Sequence, residues 1–421
     1  MKHFLSAVAC LAFSLQLWAM DPTGTWSGSL SIQNQSIRFV LHIKKDGTNY
    51  LATMDSPDQG AKGIQMSHVT VEDSMLTVEL RIAQMKYVGK MDDKSIKGNF
   101  SQAGQTFPLV LTKVQQTVSE NNTNSVEPNA AHIETAVSLQ TQSGKIVGTL
   151  TTPKTFNKGP IAIIIAGSGP TDRNGNNPTM TNDAYKKMAF ELAKKGIATL
   201  RYDKRGIAGS VAVVENEADL IFTDYATDAK KWIEWLRQDK RFTKVWIIGH
   251  SEGSLIGMIA AEKADGYISI AGAGRPIGEV LKEQLRTQPP SMQDQAAVLI
   301  DSLSKGLKVN NTDPTLQPLF RQSIQPYMMS WLKLNPQTKL KKLKIPVMIV
   351  QGTTDIQVTM DDAKRLAEAK PNAKLLVLDK MNHILRTVEG DRTANLNTYN
   401  NPALPLAEGL ISGISAFMLQ K

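Results

Sequence analysis

The stretch from Lys244 to Gly257 restricts this chain more than any other, reading Lys-Val-Trp-Ile-Ile-Gly-His-Ser-Glu-Gly-Ser-Leu-Ile-Gly. Val245 to Ile248 form the short apolar, β-branched run of a strand buried on both faces, and Gly249 stops it. From Ser254 to Ala261 the residues are small or helix-compatible, so a helix is predicted to start directly after Ser251. A strand that reverses into a helix within a few residues strains the backbone at the turn. Gly249 and Gly253 carry no Cβ to collide with the neighbouring chain there. The Ser251 hydroxyl is then lifted above the sheet edge at a helix N-terminus, where the dipole and free amides favour developing negative charge. The competing reading is a glycine-rich turn without chemistry; the strand before Ser251 and the helix after it favour a nucleophile.

Gly-x-Ser-x-Gly in this setting resembles the nucleophile elbow of the α/β-hydrolase family, and the resemblance covers residues 133–421. It implies an α/β fold, a mostly parallel sheet flanked by helices with a helical cap inserted at about 275–343. Periodicity agrees: strands at Ile133–Gln140, Lys145–Thr151, Pro160–Ala166, Ile197–Tyr202 and Tyr267–Ala271 alternate with helices at Asn182–Lys195 and Asp224–Arg237. The charged loop Asp203-Lys204-Arg205-Gly206 leaves one of these strands beside the expected cleft. In the cap segment, helices are predicted at Ile277–Leu285, Gln293–Leu303 and Pro318–Leu334, with Met328, Met329, Trp331 and Leu332 read as the cap's own core rather than a pocket lining. Strands at Pro346–Val350 and Lys374–Leu378 and a helix at Leu404–Leu419 complete the pattern.

Asp355 and His383 each lie just past the C-terminal end of a predicted strand, where catalytic groups gather in open α/β sheets. Of six histidines, only His250 and His383 fall inside the α/β region proper, and His250 adjoins Ser251 at a sharp turn that should aim its ring elsewhere. The order Ser251, Asp355, His383 is that of the triad the resemblance implies, with Asp379 as the alternative acid. A serine hydroxyl is a poor nucleophile at neutral pH, so a neutral imidazole must take its proton, and a carboxylate holds that ring in the right tautomer. The resemblance further implies an oxyanion hole made by the backbone N–H groups of Ser168, or of Gly169 in its place, and of Glu252. Ala166-Gly167 stands where many relatives have His-Gly, which leaves a backbone role intact. Asp172-x-Asn174-x-Asn176 lacks the glycine and glutamate of a calcium loop, and no metal or cofactor is expected.

Residues 20–113 hold short alternating stretches, including Thr25–Ile32, Ile37–Ile43, Met75–Ile82 and Phe107–Leu111, separated by turns; they read as a small all-β barrel or sandwich. Gly24-Thr25-Trp26 resembles the opening of lipocalin-like barrels, yet an accessory domain with a tryptophan in its core is the stronger reading. Residues 114–132 are polar, rich in Asn, Ser and Thr, and read as a linker. Residues 1–19 read as a signal peptide, with Lys2 ahead of an apolar run, so export to the periplasm or medium is expected and no stable membrane span after its removal. The single cysteine, Cys10, falls in that segment. Lys+Arg number 48 against 39 Asp+Glu, a net charge of +9 that is dispersed rather than gathered in an aromatic-interleaved stripe, which argues against nucleic acid as a partner.

An exported carboxylesterase acting on a small acyl ester through an acyl-enzyme is therefore the leading expectation, and its combination of domains is similar to that of bacterial carboxylesterases. The same triad would serve a serine peptidase of the aminopeptidase or prolyl-oligopeptidase type, or a thioesterase. A binding protein that kept the fold without the chemistry is the reading from a different class.

Overall fold

The computed structural model describes residues 20–32, 35–47, 49–59, 61–102, 104–114, 131–177, 179–310, 313 and 315–420. Residues 1–19, expected to be a signal peptide, and all but the ends of the segment read as a linker lie outside the described residues. No helix among the described residues is long and apolar enough to cross a membrane.

Nine strands make the first sheet: β1 (Gly24–Ile32), β2 (Gln35–Asp46), β3 (Asn49–Ser56), β4 (Ala61–Gln65), β5 (His68–Glu72), β6 (Met75–Leu80), β7 (Met85–Met91), β8 (Ser95–Gln102) and β9 (Gln105–Lys113). Strands β1 to β4 and β5 to β9 each pair antiparallel with the next, and β9 pairs with β1, so the sheet curls into a near-barrel that, among the described residues, is unpaired between β4 and β5. Period-two burial separates the two faces of the sheet. In β7, for example, Met85, Tyr87, Gly89 and Met91 point inward. Trp26, Phe39, Leu41, Tyr87 and Phe100 fill the interior, and the Trp26 indole N–H donates to the Pro22 carbonyl at 2.7 Å. The strand expected to run to Ile82 stops at Leu80, where a single 3₁₀ turn, Arg81–Ala83, takes over.

The second sheet has eight strands: β10 (His132–Thr141), β11 (Gly144–Pro153), β12 (Gly159–Ile165), β13 (Ala198–Tyr202), β14 (Phe242–His250), β15 (Gly266–Ile270), β16 (Val347–Gly352) and β17 (Lys374–Leu378). Their spatial order is β10-β11-β13-β12-β14-β15-β16-β17, with β10, β11 and β13 joined antiparallel at one edge and all later pairings parallel. Among the described residues eleven helices cover and extend it: α1 (Ala184–Lys194), α2 (Phe222–Leu236), α3 (Glu252–Ala260), α4 (Ile277–Gln284), α5 (Pro290–Ser304), α6 (Gln317–Phe320), α7 (Gln325–Leu332), α8 (Pro336–Lys341), α9 (Met360–Ala369), α10 (Arg392–Asn397) and α11 (Leu410–Met418). Successive residues of one strand go to opposite faces. Ile161, Ile163 and Ile165 pack with α2, α3 and α9, whereas Ala162 and Ile164 pack with α1 and α11. The chain leaves β12 toward β13 and then crosses back to β14, so a crevice opens at the C-terminal ends of the adjacent β12 and β14.

Helices α4 to α8 lie between β15 and β16 and share the larger core through Val280, Leu299, Ile300, Phe320 and Met328. The single helix expected over Pro318–Leu334 is instead α6, a 3₁₀ turn at Gln322–Ile324, and α7, because Pro318 and Pro326 lack the N–H that a continuous helix needs and each sits at a helix start. The closing helix begins at Leu410 rather than Leu404, since Pro405 and Gly409, the latter at φ 81°, hold the preceding residues out of helix. The two sheets are not independent. Val211, in the 3₁₀ segment Ala208–Val213 that follows the charged loop, is buried within the first sheet's core, and the Ser210 hydroxyl accepts from the Val147 N–H of β11 at 3.0 Å.

Candidate active site

Ser251 follows the last residue of β14 and precedes the first of α3, with φ 53° and ψ −118°. A non-glycine residue held there costs about 1–3 kcal/mol, so its surroundings must over-determine it. They do: a Cβ at Gly249 would lie 2.3 Å from the Gly253 carbonyl oxygen, and one at Gly253 would lie 2.2 Å from the Ile165 carbonyl oxygen. The Ser251 N–H is bound to the Ile270 carbonyl at 2.9 Å.

Asp355 leaves β16 and His383 lies beyond β17; His383 Nδ1 and Asp355 Oδ2 are 2.8 Å apart, with the carboxylate 1% and the imidazole 6% exposed. Burial by itself would raise the Asp355 carboxyl, but the His383 charge and hydrogen bond, with the amides of Val358 and Gln357, bring it below its ordinary value. An ionised Asp355 accepts only, so Nδ1 of His383 carries the proton and Nε2 is left as the base. Nε2 belongs to a ring that borders, with Ser251, a cavity of about 400 Å³. Asp379 takes a hydrogen bond from Thr353 Oγ1 at 3.0 Å and is not the partner of His383.

Ser168 and Glu252 both line a second cavity of about 210 Å³ that also reaches Ser251, and among the described residues neither of their amides has an acceptor. Gly167 brings this loop against the elbow, since a Cβ there would be 3.3 Å from Ser251 Cβ. In the same loop Asp172 braces the backbone, accepting from the Asn174 and Asn176 amides at 2.8 and 2.9 Å.

His250 does turn its ring away from the Ser251 hydroxyl, but toward a role that the sequence did not reveal. Its Nε2–H donates to the His383 carbonyl at 2.8 Å, so Nδ1 accepts from the Tyr185 hydroxyl, also at 2.8 Å. The Gly167 N–H donates to that same hydroxyl at 3.1 Å. One buried chain of hydrogen bonds thus links the loop after β12, helix α1, the elbow and the loop carrying His383. Burial, with the neighbouring His383, lowers the His250 pKa to about 3 and keeps the ring neutral.

Residues 179–387 match the family described as serine aminopeptidase, S33. The chain is similar to esterase EstD of Thermotoga maritima, 30% identical over 261 residues that make up 58% of this chain and 59% of EstD. It therefore spans less than two thirds of that relative. Among solved structures, Est1E from Butyrivibrio proteoclasticus aligns with TM-score 0.44 at 19% identity, covering 68% of this chain and 97% of its own. The Pyrococcus furiosus esterase Pf2001 aligns with TM-score 0.45 at 15% identity, covering 70% and 93%. The second domain has the α/β-hydrolase fold.

Within the α/β-hydrolase domain the structure brings Asp355 to His383, sets His383 on the cavity that holds Ser251, and places Ser168 and Glu252 beside the nucleophile. Four contributors escaped the sequence reading: Tyr185, Lys204, Tyr327 and Gln351, whose Nε2 reaches Asp355 Oδ2 at 3.2 Å. Tyr185 and Tyr327 look like core aromatics on helices, and only Lys204, at a strand's C-terminal end, carried a signal in the charge of its loop. Met328 and Trp331, read from sequence as cap core, are buried there and also line the smaller cavity, because α7 lies directly over the site.

Two predictions follow from these contacts. Asp355→Asn should lower kcat about 10³–10⁴-fold by favouring the wrong His383 tautomer, whereas Asp379→Asn should change it less than about 3-fold; steady-state kinetics separates them. Below pH 6.5 the unfolded chain takes up a proton that buried His250 refuses until about pH 3, so its contribution to stability is complete above 6.5 and is lost as pH falls. Urea unfolding followed from pH 7 to pH 4 should therefore show a decline that is shallower by one proton in His250→Asn.

Proposed function

We propose that the protein is an exported serine hydrolase that cleaves small carboxylic esters through an acyl-enzyme. The observation that carries this reading is His383, oriented by Asp355, on the same cavity as Ser251. Ser251 Oγ attacks the acyl carbon as its proton passes to His383 Nε2. The carbonyl electrons move onto oxygen, facing the amides of Ser168 and Glu252. When the carbon–oxygen bond breaks, His383 returns the proton to the alcohol. Water then repeats the sequence, and the carboxylic acid leaves.

The two cavities divide the substrate. His383 must reach the leaving oxygen, so the alcohol occupies the cavity that His383 borders, where Asn177, Thr179, Asn182 and Tyr399 offer polar groups. The acyl group occupies the other, which lacks His383 and is lined by Leu255, Val280, Leu281, Met328 and Trp331. Esters joining a short apolar acyl group to a polar alcohol fit this division, and the likeness to EstD supports ester chemistry.

The description of the matched family, serine aminopeptidase, favours a second reading. An aminopeptidase needs an anion for the substrate's ammonium group. Among the described residues no carboxylate borders the larger cavity, and Glu252, on the smaller one, is engaged by Lys204 and Tyr327.

The test is a panel of p-nitrophenyl esters beside aminoacyl anilides, run on protein recovered from the exported fraction. Ester kcat/KM should exceed anilide kcat/KM by more than about 10-fold, with a preference for short acyl chains. Anilides turned over faster than esters would overturn the esterase reading, and a mature mass that still includes Met1 would overturn export.

A further inference from the structure

The Lys204 ammonium is buried, 1% exposed, yet it touches neither cavity and is no member of the triad. It donates to the Gly167 carbonyl oxygen at 2.7 Å and to Glu252 Oε2, and it lies 4.8 Å from the Tyr225 ring centroid. The second Glu252 oxygen accepts from the Tyr327 hydroxyl on α7. One cation therefore grips both segments whose amides the mechanism above assigns to the reacting oxygen: the loop after β12, through a main-chain carbonyl, and the first residue of α3, through its side chain.

Peptide geometry gives this grip a consequence. The Gly167–Ser168 bond is trans, so the Gly167 C=O and the Ser168 N–H point to opposite sides of one plane. Pulling the carbonyl toward Lys204 turns the Ser168 N–H away from Lys204, and Ser168 lines the cavity that reaches Ser251. The preceding peptide is held as well, because the Gly167 N–H donates to Tyr185. Without its donor, the Gly167 carbonyl would be a buried acceptor with reason to rotate, and rotation would withdraw the amide.

We propose that Lys204 is a positioning residue for the oxyanion site, aligning the Ser168 amide through the Gly167 carbonyl and anchoring Glu252 through its carboxylate. Lys204 and Glu252 are opposite in sign, so the pair adds little net charge at the nucleophile; its part is orientation. The inference rests on the hydrolase reading above but not on the preference for esters.

The test compares Lys204→Met, Glu252→Gln and the double variant, each checked for native circular dichroism and thermal unfolding. The readouts are the rate of Ser251 labelling by a fluorophosphonate, ester kcat and KM, and the affinity for an alkyl boronic acid that mimics the tetrahedral intermediate. Lys204→Met should slow labelling and kcat about 10²-fold and weaken boronate binding by a similar factor, with KM changed less than about 3-fold. The double variant removes the unpaired buried carboxylate but still leaves the Gly167 carbonyl without its donor, so it should stay slow. Recovery of labelling to within about 3-fold of wild type in a folded double variant would overturn the proposal, since charge balance alone would then explain the lysine. Loss of kcat with boronate affinity unchanged would overturn it too. Labelling reads the oxyanion site for esterase and peptidase alike, so wild type that labels but prefers anilides would sink the ester preference and leave the variant ratio readable.

Discussion

Three backbones meet without side chains between them at the turn that carries Ser251, and the second domain is arranged around that meeting. Gly249 presses on the Gly253 carbonyl, and Gly253 presses on that of Ile165, so β14, α3 and β12 are locked at a separation no Cβ would permit. This contact sets the hydroxyl at the crevice between β12 and β14. It also seats the first amide of α3 beside the loop that leaves β12, which is the requirement for two main-chain donors to face one oxygen.

A strained serine and several buried polar groups sit within this small volume, and they tolerate one another because nearly every one is bound. His250 is neutral and uses both ring nitrogens, one on Tyr185 and one on the His383 carbonyl. Glu252 and Lys204 are both almost fully buried, a costly pairing that is sustained only because a carbonyl, a phenol and an aromatic face satisfy what the ion pair leaves over. The same loop carries two more anchored charges: Asp203 accepts from the amides of Arg173 and Gly209, and Arg205 holds Asp228 with two bonds of 2.6 Å. The loop therefore ties the loop after β12 to α2. Immediately downstream, Val211 plugs into the core of the first domain, so the near-barrel buttresses the same segment from outside.

The cap closes the arrangement from above. Tyr327 reaches down to Glu252, while Met328 and Trp331 from the same helix face the smaller cavity. Support of the turn that carries Ser251 and the shape of the smaller cavity thus come from one short helix. The prolines that break the expected long helix also determine where α7 starts, and hence which of its side chains point at the site.

Read alone, the chain of residues disclosed whatever is local or repeats at short range. The strand–turn–helix around Ser251, the apolar runs of β12, β14 and β16, and the placement of Asp355 and His383 just past strand ends all follow from patterns a few residues long. It could not disclose which distant groups meet inside. Lys204 finding the Gly167 carbonyl, Tyr185 joining His250, and Val211 belonging to the core of another domain depend on how sheets and helices stack, and nothing in a lysine's or tyrosine's neighbours in sequence encodes a partner from 37 to 65 residues away. Tertiary structure decided those contacts because a buried polar group must be satisfied by whatever packing brings within reach, and that is a property of the assembled interior rather than of any one segment.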